Sequence, residues 1–257
     1  MIGTGSDAVL DDFEETYHRV GTEGPPYMFK MHFLQFLRGN MKRVFHGNLN
    51  MTSSSESDRR PLKVRGNLLF QRIARALAQL GITPNQISVA SVFFATLGAA
   101  GLLAGGWTFI AAAACIQLRL LCNLFDGMVA VEHGKATALG AVYNEFPDRI
   151  ADSLLLVAAG YAAAMPSLGW LAALAAALTA YVRVFGASCG LGHDFRGPMA
   201  KQQRMAVLTA CCVAAPFLPF GTYTLLAGLA IIAALSLVTC ITRTRHLCVQ
   251  LKRGNAP

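Results

Sequence analysis

Apolar residues dominate the chain from about position 82 onward, broken at short intervals by Gly, Pro and a few charged residues. Stretches of about 20 apolar residues, the length that crosses a bilayer as a helix, predict six spans. They run from Ile87 to Gly105, Trp107 to Ala130, Gly140 to Ala164, Leu168 to Leu191, Met205 to Pro219 and Thr224 to Ile241. Thr83 as N-cap, Pro84 at the first helical position and Gln86 three residues after the cap mark the entry to the first, because together they satisfy backbone donors that a helix start leaves unpaired. Upstream, Leu69, Ile73, Leu77 and Leu80 recur at helical spacing beside Arg72 and Arg75, the pattern of a helix lying at headgroup level or on a protein surface. The expected fold is all-α: an integral membrane bundle of six transmembrane helices preceded by an amphipathic interfacial helix. Its expected organisation is an N-terminal tail or arm at 1–66, the interfacial helix at 67–81, the membrane domain at 82–243 and a basic tail at 244–257.

Charge sharpens this picture. Asp, Glu, Lys and Arg make up 14% of the 257 residues, against ~25% in soluble domains. Of these 36 residues, 19 precede position 82 and only 14 fall in 82–243. Disorder, a nucleic-acid module and an ordinary soluble enzyme are excluded. The net charge of +8 comes from basic residues that flank apolar runs, as anionic headgroups favour. Lys135, Arg196, Lys201, Arg204, Arg243, Arg245, Lys252 and Arg253 fall at alternate loops and in the tail, so the positive-inside bias places both termini, and the active site with them, on the cytosolic side of a bacterial inner membrane or its equivalent. The start of the chain, with Asp7, Asp11, Asp12, Glu14 and Glu15, has no basic region followed by an apolar run, so no cleavable signal is expected. Trp107 and Trp170, at span ends, read as interfacial belt residues, and the seven cysteines, mostly within apolar runs, as small buried hydrophobes.

An ionisable group at the centre of a spanning helix costs ~2.5–3.5 kcal/mol on the insertion scale, so each calls for a partner or a task. Arg119, Asn123, Asp126, Asn144, Glu145, Asp148, Arg149 and Asp152 crowd into the second and third predicted spans, with Glu132 just after the second. Asn123, Asp126 and Ala130 share one helical face, while Gly140, Asn144, Asp148 and Asp152 step by four along another. Oxygen ligands converging from two helices suit a hard divalent cation, and Gly127, Ala130 and Gly140 leave room for a bulky ligand and close helix approach. The same spacing also fits a polar network that glues helices together or lines a transport cavity. Symmetry about the midpoint of His133 and Gly134 would place Arg119 opposite Asp148 and Asn123 opposite Asn144.

The hairpin resembles the CDP-alcohol phosphotransferase family, whose pattern is Asp-x2-Asp-Gly-x2-Ala-Arg-x8-Gly-x3-Asp-x3-Asp. Here the frame reads Asn123-x2-Asp126-Gly127-x2-Ala130-Val131-x8-Gly140-x3-Asn144-x3-Asp148, with every spacing kept. The Thr83-Pro84-Asn85 entry and Tyr181-Val182-Arg183 extend the resemblance over roughly 59–245. It implies a phospholipid-biosynthesis transferase that moves a substituted phosphate from a CDP-linked lipid to a small alcohol and releases CMP, in a homodimer. It also implies Mg²⁺ or Mn²⁺ at Asn123, Asp126, Asn144 and Asp148, with Asp148 as base. Because Asn replaces two motif aspartates, one ion is expected rather than two, with Glu132, Glu145 or Asp152 available to compensate. Gly127, Ala130 and Gly140 would make room for substrate. Arg183, Arg204 and Lys201 would receive a phosphorylated polyol, and Arg119 and Asp152 would support the site. The alternative is a degenerate member that binds lipid or supports a partner enzyme. No nucleic acid is expected.

Overall fold

The computed structural model describes residues 67–132, 139–219 and 221–254. The expected tail at 1–66, together with His133 and Lys135, lies outside these residues, as does the side chain of Glu132. The described helices belong to one compact unit within residues 55–257.

Helix α1, Leu68–Gln79, starts at Asn67, whose side-chain oxygen accepts the Leu69 amide at 2.9 Å. Phe70, Ala74 and Leu77 pack toward the bundle, where the Phe70 and Phe125 rings lie 6.0 Å apart. Leu69, Ile73 and Leu80 stay exposed. The apolar stripe is therefore split between the bundle and the outside.

Helix α2, Pro84–Ala104, opens with the predicted capping box: Thr83 Oγ1 accepts the Gln86 amide at 3.3 Å and Gln86 Oε1 accepts the Thr83 amide at 2.9 Å. A tight turn leads to α3, Thr108–Glu132, and Thr108 Oγ1 donates to the carbonyls of Gly101 and Gly105 there. Helix α4, Gly140–Ala162, contains Pro147. It crosses α5, Pro166–Ser188, at Gly160 and Gly169, where a Cβ on Gly160 would come within 2.6 Å of the Gly169 Cα. Helix α6, Lys201–Ala214, ends in a 3-10 turn at Ala215–Phe217, and α7 runs from Gly221 to Gly254.

The interior is built of small residues, among them Ala95, Ala112, Ala151, Ala159, Ala172 and Ala176, with Leu155, Leu156, Leu225 and Leu229 as larger fillers. Larger apolar side chains such as Phe93, Leu103, Leu174 and Ile231 point outward. Small inside and large outside is the arrangement of helices packed in lipid, where close backbone approach holds the bundle together.

Among the described residues, four helices are long and apolar enough to cross a membrane: Pro84–Ala104, Thr108–Val131, Pro166–Ser188 and Gly221–Arg253. The third and fifth predicted spans correspond to α4 and α6, the first too polar and the second too short for that class. The reason is chemical: α4 carries Glu145, Asp148, Arg149 and Asp152, and the 14-residue α6 begins with Lys201 and Arg204. The last predicted span ended at Ile241, but no Gly or Pro stops the helix between Gly228 and Gly254, so α7 continues through Arg243, Arg245, Lys252 and Arg253. At ~1.5 Å per residue its 34 residues reach about 51 Å, beyond the ~30 Å of hydrocarbon in a bilayer.

Helix α2 packs against both α3 and α4, α5 against α4 and α7, and α6 against α3 and α7. Consecutive helices α3 and α4 are not among the closely packed pairs. The close approach expected at Gly140 is thus not made to α3. Long side chains bridge the gap between these helices instead.

Candidate active site

The start of α2, the second half of α3, the first half of α4, the second half of α5 and the start of α6 meet at one end of the bundle. Their polar side chains form a continuous cluster. Arg119 is fully buried, and Asp126, Asp148, Asp152 and Arg204 are nearly so. Such groups persist in an interior only when paired and hydrogen-bonded.

Two carboxylates organise the cluster. Asp152 receives Arg119 Nη2 on one oxygen at 2.5 Å and Arg204 Nη2 on the other at 3.0 Å. Arg204 also donates to Thr179 Oγ1 and to the Met199 carbonyl, each at 3.2 Å. One turn earlier, Asp148 accepts Asn123 Nδ2 on Oδ1 at 2.8 Å and pairs through Oδ2 with the Lys201 ammonium. Arg119 Nη2 stands 3.6 Å from Asp148 Oδ1, so one guanidinium serves both aspartates. Asp126 points toward α2 and accepts the Ser88 hydroxyl at 2.7 Å.

A second, more open group adjoins this one. Glu145 takes Arg149 and Arg183 on its two oxygens, each at 2.5 Å, and the Arg183 guanidinium carbon lies 5.8 Å from the centre of the Phe195 ring. Arg243 of α7 ties the surrounding chain together, donating to the carbonyls of Arg196 and Thr179 at 2.8 Å.

Arg119, Asn123, Asp126, Asp148 and Asp152 converge, and Arg119 stands beside Asp148 as the sequence predicts, but the closest pairs are offset by one helical turn. Asn123 faces Asp148 rather than Asn144, and the nearer carboxylate to Arg119 is Asp152 rather than Asp148. The cause is the length of the connection. Helix α3 persists to Glu132 and α4 begins at Gly140, so the pairing is symmetric about a point some two residues later than the His133–Gly134 midpoint.

Arg204 is enclosed in the bundle. It is 2% exposed and engaged by Asp152, which makes it a buried support, while Arg183 and Lys201 keep 17% and 25% of their side-chain surface exposed. Asn144 is exposed and Gly127, Ala130 and Gly140 are half-buried. Neither Glu145 nor Asp152 is free to replace missing motif charge, since each already binds two arginines.

The motif implies divalent ions, and the donor set decides whether they fit. Among the described residues no three acidic, His or Cys side chains converge as metal ligands. Asp126, Asp148 and Asp152 carry three negative charges, and Arg119, Lys201 and Arg204 bring three positive ones to Asp148 and Asp152. A pair of divalent ions would add four positive charges to a cluster already balanced in low dielectric. The residues present do not fit that pair.

Ser88 and Thr179 escaped the sequence reading, which took Arg243 only for a basic residue of the tail. Ser88 lies four residues after Pro84, one turn into α2, and that position toward the polar end was the available signal. Thr179 lies one turn before Arg183 and shares its helical face.

The model of one family, CDP-alcohol phosphatidyltransferase, matches residues 81–242. An archaetidylinositol phosphate synthase of Aeropyrum pernix is 32% identical over 188 residues, covering 70% of this chain and 91% of that protein. A phosphatidylinositol phosphate synthase of Mycobacterium tuberculosis is 29% identical over 181 residues, covering 66% of this chain and 82% of that protein. The fold resembles crystal structures of the M. tuberculosis phosphatidylinositol phosphate synthase. One, with CDP-DAG bound, has a TM-score of 0.61 at 23% identity and covers 70% of this chain and 93% of the other. Another, in complex with manganese and citrate, has a TM-score of 0.61 at 24% identity, covering 69% and 88%.

Proposed function

The chain belongs to the CDP-alcohol phosphatidyltransferase family, and on that premise we propose that its acceptor is a phosphorylated polyol bound at the open end of the α3–α6 cluster. The reaction is phospholipid synthesis: a phosphatidyl-type group passes from a CDP-linked lipid to an alcohol and CMP is released. The alcohol oxygen attacks the lipid-side phosphorus, and the bond from that phosphorus to the CMP oxygen breaks. The alcohol proton passes to Asp148. That carboxylate retains acceptor capacity beside Asn123 and Lys201, because its two oxygens offer about four lone-pair sites.

The observation that carries the acceptor assignment is the position of Arg183, a partly open cation beside the motif aspartates. A guanidinium fork suits a phosphate better than a neutral alcohol. The related inositol phosphate synthases agree in acceptor class. Arg119, Arg204 and Asp152 hold α3, α4 and α6 in register and do not touch substrate. Gly127 and Ala130 give the donor room against α3. Both termini and the site face the cytosol, in keeping with the basic residues gathered at the site's end of the bundle, and family resemblance favours a homodimer.

The test is to incubate purified protein with CDP-diacylglycerol and either inositol phosphate, glycerol phosphate or their unphosphorylated alcohols, and to identify product lipids by mass spectrometry. Product is expected from a phosphorylated acceptor and not from its parent alcohol. Arg183→Ala should raise the acceptor KM by roughly ten- to a hundredfold, the worth of one charge-assisted hydrogen-bonded contact, while the donor KM changes little. Equal use of the unphosphorylated alcohols would overturn the assignment.

A further inference from the structure

Three observations bear on what takes the place of a metal in this site. First, Asn123 is a donor: its Nδ2 lies 2.8 Å from Asp148 Oδ1, and hydrogen bonding fixes that orientation of the amide, since its carbonyl would face the carboxylate oxygen without a proton between them. An aspartate at position 123 would set two carboxylates against each other at this distance, an arrangement that needs a cation between them. The asparagine removes the need. Second, the other oxygen of Asp148 is occupied by the Lys201 ammonium, with Arg119 close behind. Third, Lys201 is a quarter exposed, whereas Arg119 and Arg204 are sealed in the interior. An ammonium has three donors, so Lys201 can hold Asp148 and still meet a ligand oxygen.

We infer that Lys201 is the resident cation of this site: it stands against Asp148 where the motif would otherwise place a divalent ion, and its ammonium binds an oxygen of the donor's diphosphate directly. This rests on the proposed function, because the ligand is the diphosphate of a CDP-linked lipid. Asn123 and Lys201 work as a pair, one cancelling the need for metal and the other supplying positive charge. Lys201 thereby becomes a donor-binding residue and leaves the acceptor phosphate to Arg183. No divalent ion is required for donor binding.

The experiment measures binding of CDP-diacylglycerol to the purified full-length protein in detergent, with EDTA and with Mg²⁺ or Mn²⁺, alongside Mn²⁺ binding by electron paramagnetic resonance. The protein should bind the lipid in EDTA within about twofold of its affinity in Mn²⁺. Lys201→Gln should weaken binding in EDTA by roughly ten- to a hundredfold, with Lys201→Arg retaining part of it. Asn123→Asp combined with Lys201→Ala should gain a Mn²⁺ site that the unaltered protein lacks. Should the variants fail to fold, the EDTA comparison on the unaltered protein still decides the matter. Lipid binding that appears only with Mg²⁺ or Mn²⁺ would overturn the inference and leave the transferase reading standing. No lipid binding under either condition would overturn the proposed function itself.

Discussion

Replacing Asp152 with Asn isolates the support on which the site rests. Asp152 is shared by Arg119 at 2.5 Å and Arg204 at 3.0 Å, with side-chain exposures of 4%, 0% and 2%, so solvent does little to screen the interaction. Removing one partner of a buried ion pair costs ~3–5 kcal/mol because the remaining charge is stranded. Asp152→Asn strands positive charge on two guanidiniums, although Arg119 can still lean on Asp148. At ~2–4 °C per kcal/mol for chains of 150–250 residues, Tm should fall by about 6–20 °C. Thermal unfolding in detergent, followed by tryptophan fluorescence, measures it. A control separates stranded charge from lost packing: Arg119→Met, Arg204→Met and Asp152→Leu together remove all three charges with little change in volume. Apolar replacement of a whole buried ion triad is often neutral or stabilising, so the triple variant should melt well above Asp152→Asn. A single variant within about 2 °C of the unaltered protein, or a triple variant less stable than it, would refute the reasoning.

Gly160→Ala places a methyl within 2.6 Å of the Gly169 Cα, and overpacking of this kind costs ~1–3 kcal/mol, so a lowered Tm in the same melt is expected and an unchanged one would contradict the α4–α5 crossing. Asn123→Asp alone faces Asp148 with a like charge and should lower Tm in EDTA, with recovery on adding Mn²⁺; no recovery would place the new carboxylate away from Asp148. Glu145→Gln removes charge from the partner of Arg183 and Arg149 and should tighten the acceptor phosphate, seen as a lower acceptor KM with donor KM unchanged. A rise in both would assign Glu145 to the fold instead.

Local features were legible in the sequence because local chemistry fixes them. The capping box at Thr83 and Gln86 needs only a few consecutive residues, and the motif spacing brought Asn123, Asp126 and Asp148 to one end of the bundle. The register across the hairpin was not legible, since it depends on how far α3 and α4 extend toward each other, and composition leaves that open. Partner choice was lost with it. Arg204 looks in sequence like a basic anchor or a phosphate ligand, yet it is sealed against Asp152, 52 positions away along the chain. The apolar count likewise took α4 and α6 for spans because it passes over a few charged residues within an apolar run, whereas the charges of α4 and the 14-residue length of α6 leave both outside the helices long and apolar enough to cross a membrane.

The most direct measurement of the transferase assignment is the initial rate of CMP release from CDP-diacylglycerol by the purified protein, with and without inositol phosphate or glycerol phosphate. Acceptor-dependent CMP release, matched mole for mole by new phospholipid and abolished in Asp148→Ala, is the predicted result. CMP release that is absent with every acceptor, or that proceeds equally without one, would contradict the assignment.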